Sequence, residues 1–160
     1  MRKTEIGGFP ALTVDGRHGR PLVLFIHGSF STHEPFSRWL TVCEKSGWRA
    51  AVAARRGRRD LDPPCADGLT IADYLDDTRR VIDALGERPI LIGHSPVRVI
   101  AAEQDRVISP ALARSICDYY GAELLVHEAH GHWVIEEPGA ETIAEDVIGR
   151  LDGLALRAAA

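Results

Sequence analysis

The sequence lacks any long apolar run. Nowhere in its 160 residues do about 18 apolar residues follow one another, the length that a membrane-spanning helix needs, so no membrane span is expected. Residues 1–10 carry charges with no apolar stretch behind them, which is not the pattern of a secretory leader. Cysteine is scarce: Cys43, Cys65 and Cys117 stand far apart, form no CxxC pair and cannot all pair within one chain. Free thiols in a reducing, cytoplasmic setting are the expectation. An excess of positive charge is missing too. The formal net charge is -4, so the chain has no electrostatic footprint for a phosphate backbone, and nucleic acid is not an expected partner. One basic run does occur, Arg55, Arg56, Arg58 and Arg59 around Gly57, and it reads as a solvated loop.

What is present is ordinary for a folded domain. Hydrophobic residues make up 45% and charged residues 26%, which excludes a disordered or fibrous chain, and the length fits one domain over residues 1–160. Residues 4–14 read as a hairpin split by Gly7 and Gly8. Residues 21–26, 48–54 and 89–93 are apolar runs of strand length, the pattern of strands buried on both faces of a parallel sheet. Residues 97–102 and 123–127 add two more strands. Between them lie helical patterns over residues 35–46, 71–85 (capped by Thr70), 110–120 and 138–151, the last begun by Pro138 in its first turn. Alternating strands and helices predict an α/β fold with a largely parallel sheet.

Chemistry in such a sheet sits in the loops past the carboxyl ends of strands. Three sites meet that condition: His27, Gly28 and Ser29 after residues 21–26, His94 and Ser95 after residues 89–93, and Asp105 after residues 97–102. His132 follows residues 123–127 inside the stretch HEAHGHW. Glu103 is a possible substitute for Asp105, although its place near the strand end favours a structural role. His127 and His130 have no second Cys or His cluster at metal spacing, so no zinc site is read. His33 and Glu34 read as loop or pocket-rim residues.

Four stretches in order, LFIHGSFSTHEPFSRW, LIGHS, VRVIAAEQDRVIS and AELLVHEAHGHWVIEEP, resemble the α/β-hydrolase superfamily, and within it esterases, lipases and small-acyl hydrolases. The order Ser, Asp, His is the one that fold uses. The resemblance implies an α/β-hydrolase-like, mostly parallel sheet flanked by helices. It implies Ser95 as nucleophile, His132 as general base and Asp105 as the acid that orients the imidazole, with Gly28, Ser29 and His94 on the oxyanion and substrate side. The implied substrate is a small uncharged ester, with no cofactor and no metal.

The chain departs from that pattern after the serine. The superfamily reads G-x-S-x-G and then a helix and a strand before the acid strand, often with a cap, whereas this chain reads GHSPV and runs directly into VRVIAAEQD. Parallel neighbours in a sheet need a crossover of about a dozen residues, which Ser95 and Pro96 cannot supply. Three geometries remain: one continuous strand, a tight reversal, or exchange of the acid strand with a second copy. The third is preferred, because a short strained hinge favours exchange, and a homodimer is the expectation. Pro96 also has no N–H where the superfamily places an oxyanion donor. An impaired remnant of the fold, serving as a dimerising or ligand-binding module, is the alternative to an esterase.

Overall fold

The computed structural model of the chain describes residues 1–28, 32–57, 69–93, 98–106, 108–120, 123–132 and 134–158. They fall into two compact units, Met1–Gly93 and His94–Ala160. Among the described residues, no helix is long and apolar enough to cross a membrane.

The first unit is built on strands β1 (Arg2–Ile6), β2 (Phe9–Val14), β3 (Val23–Ile26), β4 (Ala50–Ala53) and β5 (Ile90–Gly93), in the sheet order β1-β2-β4-β3-β5. β1 and β2 form the expected hairpin, with Ile6 opposite Phe9. Its two-residue turn needs positive φ, which Gly7 (+62°) and Gly8 (+86°) supply. Gly7 is also confined by space, since a Cβ there would stand 2.7 Å from the Arg80 carbonyl oxygen. β4 is antiparallel to β2 and parallel to β3, and β3 is parallel to β5.

β4 is buried at all four positions, as its uninterrupted apolar run predicts. β5 corrects the sequence reading of a strand buried on both faces: Ile90 and Ile92 are half-buried, but Leu91 is 52% exposed. The burial alternates along the strand, so one face of β5 is covered and the other open; among the described residues β5 stands last in the sheet order, paired with β3.

Helix α1 (Ser37–Lys45) follows a short 3-10 turn at Glu34–Phe36 and buries Trp39, Leu40, Val42 and Cys43. Phe25 of β3 lies 5.4 Å from the Phe36 ring and 5.8 Å from that of Trp39. Each fully buried side chain of this size contributes about 1.5–3 kcal/mol. Helix α2 (Ile71–Leu85) begins with the Thr70–Asp73 capping box and ends at Gly86 in the left-handed region. Its Val81, Ile82 and Leu85 close over Ile6, Phe9, Ala11, Leu22, Leu24, Ala51 and Ala53.

The second unit pairs β6 (Arg98–Ala102) in parallel with β7 (Glu123–His127), Ala102 opposite His127. Helix α3 (Pro110–Tyr120) connects them. Ser109 accepts the Leu112 N–H at its start and Pro110 opens the first turn. Helix α4 (Ala140–Ala158) buries Ala140, Ile143, Ala144, Ile148 and Leu151 on one stripe. It begins two residues later than Pro138 suggests. Gly139 has φ +91°, which no α-helical residue adopts, and a Cβ there would stand 3.0 Å from the His130 ring. The helix therefore waits until the chain has passed that contact.

Candidate functional site

The acid loop and the histidine loop are joined by backbone. Beyond β6, the Glu103 N–H donates to the His127 carbonyl (3.1 Å) and the Gln104 N–H to the His130 carbonyl (3.0 Å), so the pairing of β6 with β7 continues past both strand ends. The chain then turns, with the Asp105 N–H donating to the Ala102 carbonyl at 3.1 Å. Asp105 is thereby delivered to the carboxyl edge of the pair, and its Oδ1 accepts the Ile108 N–H at 2.9 Å.

His132 meets this carboxylate, its Nδ1 standing 3.0 Å from Oδ2 and 3.2 Å from Oδ1 of Asp105. The Asp105 side chain is 10% exposed and that of His132 33%. The carboxylate is thus largely withdrawn from water while the imidazole keeps an open side. Facing an ionised carboxylate, Nδ1 carries the ring hydrogen, and Nε2 is left as the basic nitrogen. Glu103, the possible substitute acid, is exposed.

The loop that carries His132 is braced by a residue that sequence reasoning missed. Glu137 Oε2 accepts the Gly131 N–H at 2.7 Å, and a Cβ on Gly131 would stand 2.9 Å from Glu137 Oε1. Ala129 turns the same loop with φ +63°. His127 and His130 stack edge to face, 6.1 Å apart, which gives both a structural place beneath the loop. Burial holds His127 below the ordinary histidine range; His130 adds to that, and Asp146 opposes it. Among the described residues, no three His, Cys, Asp or Glu side chains gather closely enough to hold a metal ion.

In the first unit, Gly28 lies just past the end of β3. His27 before it is buried, and its Nδ1 donates to the Gly28 carbonyl at 2.9 Å. His33 is buried as well, at the start of the 3-10 turn, and Glu34 is exposed. Ser29, His94, Ser95 and Pro96 lie outside the described residues, as do Arg58 and Arg59.

Arg55 and Arg56 correct the reading of a solvated basic loop. Arg56 binds the carboxylate of Asp77, a residue of α2 with no exposed surface, through its backbone N–H (2.9 Å) and its Nε (2.6 Å). Asp76 and Asp73 take its outer nitrogens. A buried carboxylate must be paired. Its partner stands 21 residues away, so composition alone could not reveal it.

Solved structures with a similar fold are numerous. A predicted CIB-like hydrolase from Thermoplasma acidophilum aligns over 94% of this chain and 96% of its own, with a TM-score of 0.71 and 16% identity. An alpha/beta hydrolase enzyme from the metagenome of sediments of the Mar Chica lagoon, Morocco, aligns over 94% and 97%, with a TM-score of 0.72 and 12% identity. The chain has the α/β-hydrolase fold. The enol-lactonase from Burkholderia xenovorans LB400 shares this α/β-hydrolase likeness over 94% of this chain and 100% of its own, with a TM-score of 0.73 and 12% identity. No protein-family model and no curated protein matches the sequence significantly. Within the first unit, the hairpin β1–β2 and the parallel strands β4, β3 and β5 form one mixed sheet, and within the second unit β6 and β7 form a parallel pair of their own.

Proposed function

We propose that the chain is a serine-type hydrolase of small carboxylic esters, with Ser95 as nucleophile, His132 as general base and Asp105 as the orienting acid. The Asp105–His132 pair carries this reading, because a carboxylate on Nδ1 selects the tautomer whose Nε2 can accept a serine proton. In the proposed cycle, the Ser95 Oγ attacks the ester carbonyl carbon while its proton passes to His132 Nε2. The C–O bond to the alcohol then breaks, the alcohol leaves with that proton, and water cleaves the acyl-enzyme by the same route. Gly28, Ser29 and His94 are assigned to the oxyanion and substrate side, Gly28 allowing close approach. One structural neighbour is named an enol-lactonase, and a lactone is a cyclic ester. The cysteines, without CxxC spacing, support a reducing, cytoplasmic setting.

Turnover of a short-chain p-nitrophenyl ester by wild type, Ser95→Ala and His132→Ala tests the proposal. Loss in both variants is expected, and equal rates in all three would remove it.

Pro96 favours a second reading. Without a backbone N–H after the serine, one oxyanion donor is lost, and such a loss costs on the order of 100- to 1000-fold in rate. On this reading the chain is an impaired hydrolase that serves as a dimerising or ligand-binding module, with strand exchange at residues 94–97 building a homodimer. A monomeric sedimentation coefficient at every accessible concentration would exclude the dimer.

A further inference from the structure

Arg55 is a costly residue where it stands. Its side chain is half-buried, burial pulls its pKa below the ordinary arginine value, and among the described residues no carboxylate lies within ion-pair distance of it. Its neighbour Arg56 takes all three aspartates of the first turns of α2 instead. Besides the field of the Asp77 carboxylate, which favours its charge, Arg55 has two contacts: the guanidinium carbon lies 4.5 Å from the centre of the Tyr74 ring, and Nη2 donates to the His27 carbonyl.

Both contacts serve one place. Tyr74 and Asp77 stand three apart on the same face of α2, so the helix holds the chain at this point twice. Asp77 fixes the Arg56 backbone, and the Tyr74 ring holds the Arg55 guanidinium against it. The group so held reaches the last carbonyl before Gly28. The Gly28 carbonyl is held in turn by His27 Nδ1. The His27 carbonyl is therefore tied to the body of the first unit, and a planar peptide whose oxygen is tied has a fixed N–H direction, here that of Gly28.

The geometry points to Arg55 as a positioning residue that, through the His27 carbonyl, holds the His27–Gly28 turn in the orientation required of an oxyanion loop. The inference rests on the proposed function for its catalytic consequence, and on the hydrogen bond alone for its structural one. Lysine does not replace arginine fully here. It can reach a carbonyl, but it has no plane to lie on the tyrosine ring.

The test uses the full-length chain labelled with 15N and 13C. In wild type, a correlation across the hydrogen bond from the Arg55 Nη to the His27 carbonyl carbon is expected. In Arg55→Gln, the Gly28 amide, which shares its peptide unit with that carbonyl, should shift and broaden while Val23 and Leu24 stay in place. With the short-chain ester, kcat should fall about tenfold at unchanged KM, since a displaced donor loses transition-state stabilisation and not ground-state binding. Arg55→Lys should recover part of that loss. An absent cross-bond correlation, or an unmoved Gly28 amide in a folded Arg55→Gln protein, overturns the positioning role. So does a kcat loss that merely follows the folded fraction, or one that lysine does not relieve. If wild type shows no esterase activity, the functional reading falls by itself, and the Gly28 amide and the cross-bond correlation decide the role of Arg55.

Discussion

Replacing Asp105 by asparagine changes one atom and tests the logic of the pair. Asp105 Oδ1 accepts the Ile108 N–H at 2.9 Å, and both oxygens lie within 3.2 Å of His132 Nδ1. The asparagine amide has one acceptor. Its oxygen must stay on Ile108, or a half-buried backbone N–H loses its partner. The NH2 group then faces His132 Nδ1, and two donors cannot share a hydrogen bond. The imidazole responds by moving its hydrogen to Nε2, the nitrogen that the proposed mechanism needs as a base. Turnover should fall on the order of 10,000-fold, as expected for a wrong tautomer in a triad. Stability should change little, by about 1 kcal/mol for a charged acceptor turned neutral, or about 2–4 °C in Tm at this chain length. Imidazole 15N shifts report the tautomer without reference to activity, and ester turnover reports the rate. An Asp105→Asn protein whose His132 keeps its hydrogen on Nδ1, or whose rate stays within tenfold of wild type, would refute this reasoning.

Two further outcomes are expected. Burial pushes the Cys43 thiol up to about 12, so about one molecule in 10,000 carries the thiolate at pH 8; iodoacetamide should leave Cys43 unmodified in the folded protein and label it rapidly in guanidinium, as peptide mass spectrometry will show. His127 has a folded-state pKa below its unfolded value, so the unfolded chain binds its proton first and stability falls as pH drops from the unfolded pKa through the folded one. Tm measured at pH 7.5 and pH 5.0 should therefore drop less in His127→Gln than in wild type, and an equal drop would show that this histidine does not carry the acid sensitivity.

The fold was largely legible in the sequence, because its signals are local. Gly7-Gly8 writes its own turn, the buried run at β4 and the capping box at Thr70 need no distant partner, and the stripe of α2 is read directly from its spacing. Asp105 and His132 were legible as residue types past strand ends. What escaped the sequence depends on partners far along the chain: Asp77 on Arg56, Arg55 on the His27 carbonyl, Glu137 on the Gly131 N–H. The exposure of Leu91 escaped for the same reason, since an apolar run records what a strand is made of and not which of its faces is covered. Pro138 misled because proline commonly opens a helix, whereas here the close approach of His130 to Gly139 sets the boundary.

The serine is the point on which the account depends. Treatment of the full-length chain with a fluorophosphonate, followed by intact and peptide mass spectrometry, asks whether Ser95 is an activated nucleophile. One phosphonyl group on Ser95 is expected, slowed in Asp105→Asn and absent in Ser95→Ala and His132→Ala. An unmodified chain, or a label on Ser29 that persists in Ser95→Ala, would contradict it.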